Sequence, residues 1–263
     1  MTEYDNLHLD VEDGIAIITL DRPPVNALSM ALYRDIAAAF GEVNTRVDEI
    51  GAVVLTGAGR CFCGGRDLKL AETDPPDVRS KAARASYTSI HHCAVPVIAA
   101  INGPAMGAGF MSALGADILY ASEAAVLGLP EIDAGLNVSL ATMSRGYTNL
   151  QARRFAFTGE RVSPEVLERI GVISRVLPPD RLMPEAIALA KEIASKNPEG
   201  VRRAKLSADD IERMWADYEF AYAAIEHRAN HDLLNSPDRI EAGRAFREKR
   251  APKFSGAPAA SGS

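Results

Sequence analysis

The feature that most constrains this chain is an apolar strand that leads through a glycine-rich turn into a helix, within residues 96–117. Val97–Ile101 is a short, continuous apolar run, the pattern of a strand buried on both faces. Gly107, Ala108 and Gly109 follow, and such small residues let a ligand approach the backbone closely. Amides in the first turn of a helix have no partner within it and attract negative charge. The turn is therefore a candidate site for a phosphate or for a reacting carbonyl oxygen, or else a connection that uses glycine only for packing.

Composition and charge exclude several classes of protein. The 263 residues are 47% hydrophobic and 24% charged, and no apolar run reaches the roughly 18 residues that a membrane span needs. The first residues are acidic and do not resemble a secretory signal, so we expect a soluble, cytoplasmic protein. A net charge of -6 with only short basic clusters argues against nucleic-acid partners. The three cysteines lack metal-ligand spacing, so no metal site and no disulfide scaffold is predicted.

Periodicity predicts alternating strands and helices, the pattern of an α/β fold, followed by a helical final third. Ser29 is expected to cap the first helix. Strands are predicted at residues 7–11, 14–20, 51–56, 97–101, 117–120, 124–127 and 171–176. Later helices are predicted at residues 77–93, 138–146, 149–157, 163–170, 180–195, 198–207, 209–234 and 237–248. The Gly/Ala/Pro/Ser-rich residues 255–263 are predicted to be a disordered tail.

A second glycine-rich turn, at residues 57–65, follows the apolar strand at residues 51–56. It does not complete a dinucleotide-binding motif, because Phe62 stands where the third glycine is required. Neither a P-loop nor a GxSxG nucleophile motif occurs in the chain. Two such strand ends can instead aim one backbone amide each at the same point. The sequence thus predicts an oxyanion hole that would stabilise the enolate of a thioester.

That chemistry needs a base, and Glu131 is the leading candidate. The apolar residues at positions 127, 129, 130 and 132 suggest surroundings that raise the proton affinity of a carboxyl group. The alternative is an ordinary glutamate in a turn. His91 and His92 stand at a predicted helix end, where they are interpreted as C-terminal cations rather than as catalysts.

Five segments in order resemble the enoyl-CoA hydratase/isomerase, or crotonase, superfamily: residues 21–28, 56–69, 98–117, 128–131 and 245–250. The resemblance implies a crotonase-like spiral of repeated ββα units over residues 1–195. It also implies a helical trimerisation region over residues 196–254. A homotrimer or a dimer of trimers is the assembly typical of such proteins. The substrate implied is an acyl-CoA, which carries its own coenzyme A, so no separate cofactor is expected.

The resemblance also assigns site residues. The two oxyanion-hole amides fall on Arg66 and Ala108, and the catalytic glutamate falls on Glu131. The coenzyme A arm is expected along the two N-terminal turns, and a neighbouring subunit is expected to bring a phenylalanine and a lysine to the nucleotide. The corresponding residues are Ala27, Leu28, Lys69, Phe246 and Lys249.

The chain departs from the hydratase pattern at one position. Hydratases of this family carry two glutamates, and Met111 occupies the position of the first. A single base at Glu131 favours an isomerase or a lyase. The alternative is a hydratase that uses Glu131 alone or with Asp133, and a further alternative is a non-catalytic binding protein. Residues 136–141 replace the glycine-rich run of the family, which suggests a substrate other than a straight-chain enoyl group.

Overall fold

The computed structural model describes residues 4–70, 75–215 and 237–253. The strands in these ranges are β1 (Leu7–Glu12), β2 (Ile15–Leu20), β3 (Ala52–Gly57), β4 (Val97–Ile101), β5 (Ala105–Met106), β6 (Ile118–Ser122), β7 (Leu127–Gly128) and β8 (Arg175–Leu177). The helices are α1 (Met30–Thr45), α2 (Pro76–His91), α3 (Ala108–Leu114), α4 (Leu140–Met143), α5 (Asn149–Thr158), α6 (Pro164–Arg169), α7 (Pro179–Ala194), α8 (Pro198–Trp215) and α9 (Pro237–Glu248). A 3₁₀ helix spans Pro130–Ala134.

In the described part of the chain, one sheet has the order β1-β2-β3-β4-β6-β8 and a second, small sheet pairs β5 with β7. Only the β1–β2 hairpin is antiparallel, and the other neighbours in the large sheet run parallel. Parallel strands end at the same edge of a sheet, so the turns that follow β3 and β4 are brought side by side. The predicted α/β class with parallel pairing is confirmed.

The central strands are buried on both faces of the large sheet. In β4, Ile98 and Ala100 face a cluster covered by α7, while the alternate residues face the main core beneath α1 and α2. This is the two-residue alternation of a strand. α7 covers its side of the sheet with Leu182, Ala186 and Ala190, which recur every four residues and are fully buried. Burial on both faces explains why β4 is one continuous apolar run.

Local signals at the start of the chain are confirmed. Ser29 caps α1 by accepting a hydrogen bond from the Leu32 amide at 3.1 Å, and the apolar stripe of this helix is buried. The predicted hairpin at residues 7–20 is also present. Pro237–Glu248 has the predicted bounds of the last helix.

Other boundaries differ from the predictions. α4 ends at Met143 rather than residue 146, and β8 begins at Arg175 rather than residue 171. Gly171 has a φ of 81°, and its amide bonds to the Glu168 carbonyl, so it terminates α6 instead of starting a strand. The predicted break near residue 208 is wrong, since α8 is continuous from 198 to 215. Residues 216–236 and the predicted tail at 255–263 lie outside the described ranges.

Two residues four positions apart on one face of α8 contact the rest of the fold. The ammonium group of Lys205 lies 2.5 Å from the Asp117 carboxylate, which also accepts a hydrogen bond from the Val97 amide at the start of β4. One turn later, Asp209 lies 3.6 Å from the His92 ring. α7 packs on the sheet, and α8 is held by these side-chain contacts. The division of the chain into two regions at residue 195 stays a prediction. Within the described ranges, no helix is both long and apolar enough to cross a membrane.

Candidate active site

The two glycine-rich turns are joined directly. Cys63 of the first turn pairs with Ala105 of the second in a parallel bridge, in which the Met106 amide donates to the Cys63 carbonyl at 3.0 Å. A β-carbon added to Gly109 would lie 2.3 Å from the same carbonyl oxygen. Only glycine therefore allows the start of α3 to approach the first turn this closely.

The Arg66 amide faces away from its neighbouring strand segment. The Leu28 amide donates to the Gly65 carbonyl at 2.8 Å, and the Asp67 amide donates to the Leu28 carbonyl at 3.0 Å. In a parallel bridge of this kind, the residue between the two bonded ones turns its own N–H to the opposite side. Arg66 thus presents its amide on the side away from Leu28.

Gly65 brings that amide close to the second turn. Its φ is 93°, and a β-carbon there would lie 2.6 Å from the Met106 carbonyl oxygen and 3.8 Å from the Ala108 nitrogen. Ala108 is the first residue of α3, so its amide has no carbonyl partner within the helix. The structure therefore brings together the two turns that carry the predicted amide donors.

The carboxylate of Glu131 lies against the second turn. β5 and β7 pair side by side, and the Gly107 amide donates to the Gly128 carbonyl at 2.8 Å. The 3₁₀ helix that contains Glu131 follows β7 immediately. A β-carbon on Gly107 would lie only 2.8 Å from Oε1 of Glu131. The carboxylate of the predicted base thus lies against Gly107, the residue that directly precedes Ala108 in the turn.

A cavity of about 520 Å³ opens over these groups. Arg66, Ala108 and Glu131 line it, as does Met111, whose side chain is 7% exposed. The volume is within the range of about 300 to 1,000 Å³ that is typical of small-molecule sites. The hydratase pattern has its first glutamate at position 111. In this cavity wall, that position carries the thioether of Met111, which cannot exchange a proton.

Asp133 does not take part in this cavity. It is exposed, and a β-carbon on Gly159 at the end of α5 would lie 3.3 Å from both of its carboxylate oxygens. Asp133 is not among the residues that line the cavity, which disfavours the alternative in which it supplies a second catalytic carboxylate. The expected apolar surroundings of Glu131 are only partly present: Leu129 is buried, but Ile132 is 41% exposed.

The residues predicted to bind coenzyme A do not all line the cavity. Phe246 lines the cavity formed by its own chain. Leu28 is buried beneath the first turn and pairs with Arg66, so it supports the turn from below. Lys69 and Lys249 are exposed and lie outside the cavity lining, as does Ala27. Their contact with coenzyme A stays a prediction.

Two tyrosines in the cavity wall were missed by sequence reasoning. The hydroxyl groups of Tyr33 on α1 and Tyr87 on α2 lie 3.3 Å apart, and both side chains are buried. Burial raises the pKa of Tyr33 to about 12, so it stays protonated at neutral pH and can donate a hydrogen bond. A buried tyrosine usually has a polar partner, and that tendency was the only signal available.

Asn26 is a second residue that the motifs did not single out. Asn26 is buried, and its backbone has a φ of 53°. Its side-chain amide nitrogen donates hydrogen bonds to the carbonyls of Ala58 at 3.0 Å and Cys61 at 2.8 Å. These bonds satisfy the backbone of the first glycine-rich turn and hold it in shape. Asn26 therefore supports the site indirectly, because it fixes the loop that leads to Arg66.

The histidine pair has a structural role that differs from the prediction. His91 ends α2 and is 4% exposed. Burial, with smaller contributions from Arg145 and His92, lowers the pKa of His91 to about 3. It is thus neutral at physiological pH, so the interpretation of His91 as a helix C-terminal cation is wrong. Neither histidine lines the cavity.

We expect the buried His91 to make stability depend on pH. The folded pKa of His91 is below the unfolded value of about 6.5, so the unfolded state binds more protons and stability falls as pH drops below about 6.5. The loss should approach about 1 kcal/mol per pH unit. Thermal unfolding between pH 7 and pH 5 measures it. His91→Gln should reduce the dependence of unfolding stability on pH, whereas His8→Gln, at an exposed site, should not. Equal slopes of stability against pH in the wild type and both variants would contradict the role of His91.

The three cysteines are poorly suited to nucleophilic chemistry. Cys61, Cys63 and Cys93 are buried and unpaired with one another, and burial raises the pKa of the Cys63 thiol to about 12. Such thiols are poor nucleophiles at neutral pH. Within residues 4–70, 75–215 and 237–253, no three His, Cys, Asp or Glu side chains cluster as potential metal ligands.

Comparison with known proteins agrees with this geometry. The sequence profile of the family described as Enoyl-CoA hydratase/isomerase matches residues 10–257, nearly the whole chain. This chain belongs to the enoyl-CoA hydratase/isomerase family. The resemblance identified from the five segments is thereby confirmed.

Individual relatives of this family member cover it almost completely. It is 36% identical over 260 residues to the (E)-benzylidenesuccinyl-CoA hydratase of Thauera aromatica, covering 95% of this chain and 98% of that protein. It is 30% identical over 256 residues to the probable enoyl-CoA hydratase echA8 of Mycobacterium bovis, covering 95% and 98%. The crystal structure of an enoyl-CoA hydratase/isomerase from Pseudoalteromonas atlantica superposes with a TM-score of 0.85 at 28% identity, over 95% of this chain and 100% of that one. The chain therefore has the crotonase fold and is an acyl-CoA enzyme of this family.

Proposed function

We propose that the enzyme acts on an acyl-CoA through a thioester enolate. The amides of Arg66 and Ala108 hold the thioester oxygen, and their hydrogen bonds strengthen as negative charge develops on it. Glu131 takes a proton from the carbon next to the carbonyl and can return it elsewhere on the acyl group. The observation that carries the proposal is the position of the Glu131 carboxylate against Gly107, beside the start of α3.

Within this scheme we favour an isomerase or a lyase. A proton shift between two carbons needs one base that accepts and returns a proton, and Glu131 alone is sufficient for that. Addition of water across a double bond is usually served by two carboxylates, and Met111 lines the cavity where the first would stand.

A hydratase is the second candidate, supported by the names of the two relatives above. Incubation with 2-enoyl-CoA, 3-enoyl-CoA and aromatic acyl-CoA esters, followed by mass spectrometry, separates the reactions. An isomerase moves the double bond without a change of mass, a lyase fragments the acyl group, and a hydratase adds the mass of one water. Tight binding without turnover of any ester would favour the non-catalytic alternative.

Met111→Glu is expected to introduce or raise water addition on a 2-enoyl-CoA, because it restores a second carboxylate to the cavity. The gain should be modest, since Met111 lies in a buried helix and a carboxyl group without hydrogen-bond partners there tends to stay protonated. Met111→Gln has a similar size and no titratable group, so it is the matched control. Strong hydration by the unmodified enzyme would contradict the view that Met111 withholds this reaction.

We further propose a homotrimer or a dimer of trimers, located in the cytoplasm. Support for assembly comes from apolar side chains that α8 and α9 leave exposed, with Leu206 at 59%, Ile211 at 56% and Ile240 at 47%. Burying such residues against another subunit would remove apolar surface from water. Coenzyme A contacts by Lys69 and by Lys249 of an adjacent subunit belong to the same proposal.

A further inference from the structure

The cavity lining contains more arginines than acidic residues, although the site is expected to hold an acyl chain. Among the described residues, Arg66, Arg79 and Arg239 line it, while its acidic residues are Glu131 and Asp77. Glu131 is the proposed base, and Asp77 is exposed in the first turn of α2. A hydrocarbon tail offers no acceptor to a guanidinium group in this lining, so the lining favours a substrate with negative charge of its own.

Arg239 is the most informative of these residues. α9 packs over the 3₁₀ helix and Gly135: a β-carbon on Gly135 would lie 2.9 Å from the Arg239 Cα and 3.3 Å from its Cγ. The Nε atom of Arg239 is enclosed by protein and has no hydrogen-bond partner among the described residues. Leaving an enclosed donor unsatisfied is unfavourable, because the group has lost its water partners without replacing them. A ligand acceptor in the cavity would remove that cost.

The other two arginines line the same cavity as the tyrosine pair. Arg66 and Arg79 are lining residues together with Tyr33 and Tyr87, whose hydroxyl groups lie 3.3 Å apart. Protonated hydroxyls and guanidinium groups are all donors to an anion. Residues of α1, α2 and α9 in the cavity lining therefore offer several donors to a bound anion.

The position of Arg239 argues against a role in holding the phosphates of coenzyme A. Gly135, on which Arg239 packs, is only four residues beyond Glu131 in the chain. The lysines predicted to meet the nucleotide, Lys69 and Lys249, lie outside the cavity lining. Arg239 therefore lies in the cavity wall beside the segment that follows Glu131, and we assign it to the acyl group rather than to the nucleotide.

We propose that the acyl group of the substrate carries a carboxylate remote from the thioester, and that Arg239 is the residue that selects it, assisted by Arg66 and Arg79. This inference rests on the proposed function as an acyl-CoA enzyme. A carboxylate buried here is stabilised by charge-assisted hydrogen bonds, whereas a neutral tail leaves the Arg239 donor unsatisfied. Arg239 is a specificity residue that binds the substrate away from the reacting atoms.

Calorimetric binding of matched saturated esters tests the proposal without turnover. The pairs are succinyl-CoA with butyryl-CoA, glutaryl-CoA with valeryl-CoA, and adipyl-CoA with hexanoyl-CoA, in which a terminal carboxylate replaces a methyl group. We expect at least one dicarboxylic ester to bind about tenfold or more tightly than its partner, the size of one charge-assisted hydrogen bond. Arg239→Gln should reduce that ratio to about threefold or less, and Arg239→Lys should give an intermediate ratio. Arg244→Gln, at an exposed position of the same helix, should leave the ratio unchanged.

The outcomes separate this proposal from the proposed function. Equal affinity within all three pairs in the unmodified protein would overturn the carboxylate proposal while leaving the acyl-CoA function intact. An equal loss for both members of a pair in Arg239→Gln would assign Arg239 to the coenzyme A moiety and also overturn it. If no ester binds at millimolar concentration, the proposed function itself fails. The wild-type comparison does not depend on whether any variant folds, and circular dichroism checks the variants.

Discussion

Glu131→Gln is expected to lower turnover of the accepted acyl-CoA by about 10²- to 10⁴-fold, the usual contribution of a positioned general base. Glutamine keeps the size of the side chain and much of its hydrogen bonding but cannot accept a proton. The carboxylate lines the cavity and lies against Gly107, so its replacement should not disturb the amides of Arg66 and Ala108. Binding of a non-reacting saturated acyl-CoA should therefore stay within about threefold.

Asp133→Asn is the matched control for this change. It removes a carboxylate two residues away on the same 3₁₀ helix, but one that faces Gly159 instead of the cavity. Steady-state kinetics should give near wild-type turnover for Asp133→Asn. Full activity in Glu131→Gln, or an equal loss in both variants, would remove Glu131 from the mechanism.

Gly65→Ala is expected to cost about 10²- to 10³-fold in turnover, comparable to the loss of one oxyanion-hole donor. The new methyl group would lie 2.6 Å from the Met106 carbonyl oxygen, a backbone atom that can move only if the two turns separate. Such a separation would draw the Arg66 amide away from the Ala108 amide. The loss should appear in the rate constant for turnover more than in the affinity for free coenzyme A.

Gly171→Ala isolates the backbone strain that any alanine suffers at positive φ. Gly171 has a φ of 81°, close to the 93° of Gly65, yet a β-carbon there meets no atom within 4 Å. Both variants should lose some stability for the same conformational reason, but only Gly65→Ala should lose most of its activity. Comparable turnover in the two folded variants would show that contact between the turns does not set the rate.

The sequence predicts the scaffold of the site well because local signals determine it. The apolar run of β4 is buried on both sheet faces, and the two glycine-rich turns must be glycine because backbone atoms approach each other there. Ser29 caps α1 through contacts three residues away in the chain. Each of these features can be recognised from a short window of residues.

The lining of the acyl space could not be predicted in the same way. Tyr33 and Tyr87 are 54 positions apart in the chain and meet only because α1 packs on α2. Arg239 reaches the cavity only because α9 packs on Gly135, and nothing around position 239 indicates that contact. The orientation of Asp133 towards Gly159 is likewise a tertiary property. Side chains that define the substrate come from distant segments, whereas the catalytic turns are local.

The proposal of an enolate formed by Glu131 is tested most directly by hydrogen exchange at the carbon next to the thioester carbonyl. A saturated acyl-CoA is incubated with enzyme in deuterium oxide, and deuterium uptake at that carbon is followed by mass spectrometry and proton NMR. The account predicts enzyme-dependent exchange in the wild type and in Asp133→Asn, with exchange reduced by at least about 10²-fold in Glu131→Gln. Exchange at the wild-type rate in Glu131→Gln, or exchange above the solvent background in none of the three proteins, would contradict it.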